Sequence, residues 1–199
     1  DAGSIGRVFV HDAGSRWDNA GTIQVGIDGL GQLSVWGAGA VSSLEGTIGS
    51  NAGGKGVVSV ADGSSWTMTD GLVVGSDGDG TLTISQGGQV SNMAAILGRN
   101  ATGKGTVTVK DAGSLWASSN SLIIGSKGEG SLFALDGGQV KSLRGRVAAE
   151  KDGLGHVVVQ GVGSRWDNAQ TLTVGVNGNG EMAVLQGGVV TNTGGRIGD

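Results

Sequence analysis

Along this chain apolar residues come at alternate positions in short bursts, and each burst begins a fixed distance after a glycine. The glycines are Gly6, Gly31, Gly56, Gly80, Gly105, Gly130, Gly155 and Gly180, spaced 24 or 25 residues apart. Two residues beyond them stand Val8, Leu33, Val58, Leu82, Val107, Leu132, Val157 and Met182. Four beyond stand Val10, Val35, Val60, Ile84, Val109, Ala134, Val159 and Val184. A period of two predicts a strand with one buried face. Ten or eleven residues after the same glycines comes Trp or Val: Trp17, Val41, Trp66, Val90, Trp116, Val140, Trp166 and Val190. A third apolar site precedes the glycine of "VG" or "IG", as at Val25, Val74, Ile124 and Val174. Each stretch of about 25 residues therefore predicts three short β-segments separated by Gly, Asn, Asp and Ser, the residues that supply turns.

The stretches come in two alternating kinds, one with Trp and one with Val. "GSRW" (14–17) returns as "GSSW" (63–66), "GSLW" (113–116) and "GSRW" (163–166), placing the tryptophans 49, 50 and 50 residues apart. A "GG" pair at Gly87, Gly137 and Gly187 keeps the same period. Three short strands have no second layer to cover their apolar faces, whereas stacked copies cover one another. The predicted fold is all-β, a right-handed parallel β-helix of about eight coils of ~25 residues, arranged as four ~50-residue double coils. It fills residues 1–199 as a single segment, a rod on the order of 40 Å long with its last coil incomplete. The eight Trp and Val positions are expected to form one interior ladder. Glycines in "GSDGDG" (75–80), "GSKGEG" (125–130) and "GVNGNG" (175–180) are expected at turns.

Composition agrees with a repeat and removes several functions. Forty-three glycines without a single proline, tyrosine or cysteine would suggest low complexity if they were aperiodic. Absence of cysteine excludes disulfides and thiolate metal sites. A net charge of −4, with scattered Lys and Arg, argues against a nucleic-acid partner. No apolar run reaches the length of a membrane span, so this segment is not expected to insert into a membrane. "DAGSIGRVFV" at the start lacks the features of a signal peptide, and the chain is read as a processed or excised piece.

Chemical motifs are few. "GSNAGGKG" (49–56) and "GRNATGKG" (98–105) imitate a phosphate loop, with Lys55 and Lys104 in the lysine place. Each is followed by Gly instead of Ser or Thr, and by a strand pattern instead of a helix, so nucleotide binding is not expected. Asp77 and Asp79 could offer calcium ligands, but equivalent positions lack recurring carboxylates, which predicts a turn. "HDAGS" (11–15) gathers His11, Asp12 and Ser15 by sequence proximity, which is not triad geometry, and the other histidine is His156. An ice-binding face fails because Thr81 and Thr83 have no counterparts in Gln32/Ser34, Ser131/Phe133 or Glu181/Ala183. No cofactor, metal site or catalytic residue is expected.

One departure from repetition suggests a site. Alternation puts Trp36, Leu135 and Leu185 outside, five residues after their glycines, and Phe9 and Val158 outside, three after theirs. Exposed, these five would mark a partner-binding surface; alternatively, a turn at the strand end would fold the side chains back inward.

The whole unit, "GKGVVSVADGSSWTMTDGLVVGSDGDGTLTISQGGQVSNMAAILG" (54–98), resembles the repeats of bacterial monomeric autotransporter passenger domains, and the likeness covers essentially all 199 residues. The third unit departs from it, with Val147 and Ala148 in place of "IG". The resemblance implies a β-helical stalk at the bacterial outer surface or released from it, acting in adhesion, autoaggregation or biofilm formation. The implied partners are a host surface, a matrix or a second copy. A passive stalk presenting a binding head, and a carbohydrate-active enzyme or phage-type fibre, are the alternatives; the last would need a carboxylate pair on one face. Open ends of such a rod expose unpaired strand groups, so end-to-end self-association is also expected unless flanking sequence caps them.

Overall fold

Strands of three to seven residues, none able to form a layer alone, are joined edge to edge into three parallel sheets. A computed structural model describes residues 3–198, and among these are strands β1 to β24 and no helix. The first coil contains β1 (Ile5–His11), β2 (Arg16–Asp18) and β3 (Thr22–Val25). The second contains β4 (Leu30–Trp36), β5 (Ala40–Ser43) and β6 (Glu45–Ile48). The pattern continues to an eighth coil of β22 (Asn179–Leu185), β23 (Val189–Thr191) and β24 (Gly194–Ile197). Every third strand joins the same eight-stranded sheet: a first sheet runs from β1 to β22, a second from β2 to β23 and a third from β3 to β24. The chain is thus a parallel β-solenoid. The eighth coil, shorter than the others, still contributes a third strand, Gly194–Ile197, in which Gly195 continues the inward register position of Leu172 without an apolar side chain to signal it.

Register follows the sequence pattern. The glycine row is aligned from Gly6↔Gly31 through Gly155↔Gly180. These positions must be glycine in the body of the rod because a Cβ at Gly56 would collide with the Val25 carbonyl oxygen, and one at Gly105 with that of Val74. The Trp and Val residues form one ladder, Trp17↔Val41↔Trp66↔Val90↔Trp116↔Val140↔Trp166↔Val190. Trp66, Trp116 and Trp166 are fully buried, while Trp17 and Val190, at the two ends, are only partly covered.

A second inward row explains why the period is 50 residues and not 25. In the third sheet, Ile23, Gly46, Leu72, Ala95, Leu122, Gly145, Leu172 and Gly195 succeed one another in register, large and small in turn. The Val coils carry the small residue, and the following coil fills the space it leaves, with the indole and Met68 over Gly46 and with the indole and Leu172 over Gly145. A Cβ on Gly46 would lie 2.8 Å from the Trp66 ring, and one on Gly145 2.7 Å from that of Trp166. Each buried indole also needs an acceptor for its N–H. Trp66 Nε1 donates to Ser43 Oγ at 3.1 Å, Trp116 Nε1 to Asn92 Oδ1 at 2.8 Å and Trp166 Nε1 to Ser142 Oγ at 2.9 Å. The acceptor always comes from the preceding Val coil, so each indole joins the two halves of adjoining repeats.

In the repeated "GSRWDNA" the polar side chains join neighbouring coils or close turns. Ser164 Oγ accepts from the Gly137 N–H at 2.9 Å, and Ser114 Oγ accepts from Gly87 at 3.1 Å, which ties the third and fourth "GSxW" to the "GG" of the coil before. Ala38 interrupts this contact in the second coil: its N–H donates to the Asp62 carbonyl, and the buried Ser64 Oγ has no partner among the described residues. Arg and Asp flank the Trp on the outer face and pair at 2.9 Å (Arg16–Asp18) and 2.7 Å (Arg165–Asp167). The Arg165 hydrogen bond, reinforced by Thr191, holds the Asp167 carboxyl below its ordinary range. The motif's Asn turns back at the corner, Asn19 donating to the Gly21 carbonyl and Asn168 to that of Gln170. Where "VA" replaces "IG", buried Ala148 adopts a left-handed φ of 55°, the conformation glycine takes at Gly49 and Gly98.

If the indole fixes its neighbour as glycine, Gly145→Ala should lower stability by about 1–3 kcal/mol through overpacking. The same substitution in a Trp166→Val background should cost less, the remaining cost coming from Leu172 Cδ1, which a Cβ would meet at 2.6 Å. Urea unfolding of the four proteins measures the coupling; equal cost in both backgrounds would contradict the packing described.

Candidate functional site

The first sheet has the longest strands, seven residues in every coil, and presents the broadest outer face of the rod. Side chains one, three and five residues after the glycine row point away from the core, and in-register pairing sets them in straight columns. All five candidate residues lie on this face. Phe9 is 58% exposed, Trp36 36% and Leu185 47%, while Leu135 and Val158 are half-buried. The inward-folding alternative does not hold for Trp36 or Leu185, because β4 and β22 remain extended through these last residues and alternation keeps them outside.

The structure gathers the candidates into two clusters. At the N-terminal end the Phe9 and Trp36 rings meet edge to face, with centroids 5.7 Å apart. His11, in register with Trp36, stacks on the indole at 4.8 Å with an interplanar angle of 9°. Its Nδ1 lies 2.8 Å from Asp12 Oδ2, so the carboxylate fixes the ring that covers Trp36. The second cluster lies in coils six to eight. Phe133 is in register with Val158 and contacts His156 edge to face at 5.8 Å. Leu135 and Leu185 share the next column with Gln160 between them.

His11, Phe133 and His156 are additions to the five candidates that the sequence singles out. The same alternation places them outside, one, three or five residues after a glycine; in the sequence the histidines stand out only as conceivable catalysts, and Phe133 only as a break in a threonine row. Beside the second cluster is a cleft of about 540 Å³ lined in part by Glu129, His156 and Glu181. Each of its carboxylates has its own cationic or ionisable neighbour: Lys104 Nζ lies 3.6 Å from Glu129, and His156 Nδ1 lies 3.5 Å from Glu181. Glu129 and Glu181 belong to strands two coils apart and engage different partners among the described residues.

The other motifs resolve into structural roles. Lys55 and Lys104 each open a strand, in register with Asp79 between them, and no helix follows either loop. Asp77 accepts from Asn100 Nδ2 at 2.8 Å, closing a turn between neighbouring coils. Among the described residues no group of three or more His, Asp or Glu is placed to hold a metal ion. Compared with protein-family models, with curated proteins and with solved structures, the chain finds no match.

Trp36 is the one tryptophan outside the interior ladder. Replacing it with Phe should remove most of the iodide-quenchable fluorescence, leaving a remainder from half-covered Trp17 and an unquenched signal from the three buried indoles. Quenching undiminished in Trp36→Phe would contradict the exposed position.

Proposed function

We propose that this chain is a rigid rod segment of an exported bacterial surface protein, working in adhesion or autoaggregation and holding adhesive surfaces away from the cell. The observation that supports it best is the regularity of the solenoid. Three ladders run through eight coils, and loop length scarcely varies, so among the described residues no long insertion interrupts the rod. Such a structure transmits length and stiffness and offers a repeating outer surface, as a stalk or adhesin requires. The resemblance of the 50-residue unit to autotransporter passenger repeats supports the location at the cell surface or in the medium. The partner is a host surface, a matrix or a second copy. The exposed aromatic cluster favours direct contact over a purely passive spacer, and the separately engaged Glu129 and Glu181 favour binding over glycoside cleavage.

Two measurements test this reading. Beads coated with the chain should aggregate, or adhere to matrix-coated surfaces, more than bare beads. Deleting residues 56–104, which joins Lys55 to Gly105 at an equivalent point of the repeat, should leave a folded rod about 10 Å shorter by small-angle scattering. Beads that neither aggregate nor adhere would contradict the adhesive function. A deletion that unfolds the protein would contradict the interchangeable unit.

A further inference from the structure

The distribution of aromatic side chains over the rod is uneven. The sequence has five Trp, two Phe, two His and no Tyr. Four Trp form the interior ladder, and all the remaining aromatic rings, Trp36, Phe9, Phe133, His11 and His156, lie on the outer face of the first sheet. The outer faces of the other two sheets carry none.

Their spacing is specific as well. One column of this face reads Phe9, Ser34, Ser59, Thr83, Thr108, Phe133, each in register with the next. Four hydroxyl side chains thus stand in line between two phenyl rings, at intervals of about 4.8 Å over roughly 24 Å. The column holds no charge. One face of the Trp36 indole is covered by His11, and the position following it in the ladder, next to the Val35↔Val60 pair, is the small residue Ala61. The other indole face therefore borders a low part of the surface.

We propose that the outer face of the first sheet binds a linear neutral glycan along the rod axis, with sugar rings stacked at the Phe9/Trp36 and Phe133 ends and hydrogen-bonded to the Ser and Thr hydroxyls between. This names a partner for the adhesive reading and rests on it. Apolar ring faces at the ends and uncharged donor–acceptor groups between them match a ligand whose sugars have apolar C–H faces and hydroxyl rims. A polyanion would find no basic row here. A peptide adding as a strand needs a free sheet edge, whereas the backbone groups of this face are paired within the sheet.

The test uses the intact chain with soluble hexasaccharides of glucose, mannose and N-acetylglucosamine, and with insoluble cellulose, mannan and chitin. At least one should bind, shift the emission of Trp36 and protect it from iodide. Trp36→Ala and Phe133→Ala, at opposite ends of the column, should each weaken binding about tenfold or more. Thr67→Ala on the outer face of the second sheet should change nothing. Circular dichroism checks that each variant stays folded. The proposal is overturned if no neutral glycan binds at millimolar concentration, or if binding is indifferent to both aromatic substitutions. Bead adhesion that persists without glycan binding, or that needs only a protein-coated surface, overturns the glycan while leaving the adhesive function standing. Loss of both overturns the two together.

Discussion

The structure depends on how an indole is accommodated inside a narrow tube of stacked coils. A parallel ladder sets equivalent side chains about 4.8 Å apart, so whatever one coil sends inward lies against the next. The Trp166 ring reaches across to the third sheet and occupies the space over Gly145 in the preceding coil, and Trp66 does the same over Gly46. Its N–H then finds an acceptor in that same coil, Ser142 or Ser43. For Trp66 and Trp166, bulk and polarity are both accommodated by the preceding coil. A coil of one kind is incomplete without a coil of the other, and the repeat is 50 residues long for that reason.

Inward positions thereby lose their freedom. The outer surface keeps it, which makes departures there informative. Over much of the rod the outer positions are polar and paired locally, as in Arg165–Asp167 beneath Thr191 or Asn100 on Asp77. Lys55, Asp79, Lys104 and Glu129 even alternate in sign along one column, a pattern that supports the observed register and opposes like-charged neighbours. Against this background the rings of Phe9, Trp36 and Phe133 have no role in packing the core. Their confinement to one sheet is the feature on which the proposed binding face rests.

Much of this is legible in the sequence because period-two alternation and an immovable glycine row report directly on strand faces and register. Spacing alone aligns Trp17 to Val190 as a ladder and places Phe9 and Trp36 outside it. What escapes such a reading is written in small or polar residues. Gly46, Gly145 and Gly195 hold inward places in the third sheet, but glycine carries no hydrophobic signal and resembles the turn glycines around it. Ser43, Asn92 and Ser142 look like loop residues, and their role emerges only when an indole N–H from the next coil points at them. His11 and Phe133 are visible in the sequence but acquire meaning only when coil stacking brings them beside Trp36 and His156.

In-register winding is the claim on which everything else rests, and a cysteine-free chain allows it to be tested directly. Ser59 and Thr83 are register partners on the outer face, whereas Thr108 lies one coil further on. Cα atoms one coil apart fall within the range a disulfide can bridge, and those two coils apart, at roughly 10 Å, do not. Mild oxidation should therefore cross-link the Ser59→Cys/Thr83→Cys protein within the monomer and leave Ser59→Cys/Thr108→Cys reduced. Cross-linking of the second pair in place of the first would contradict the solenoid described.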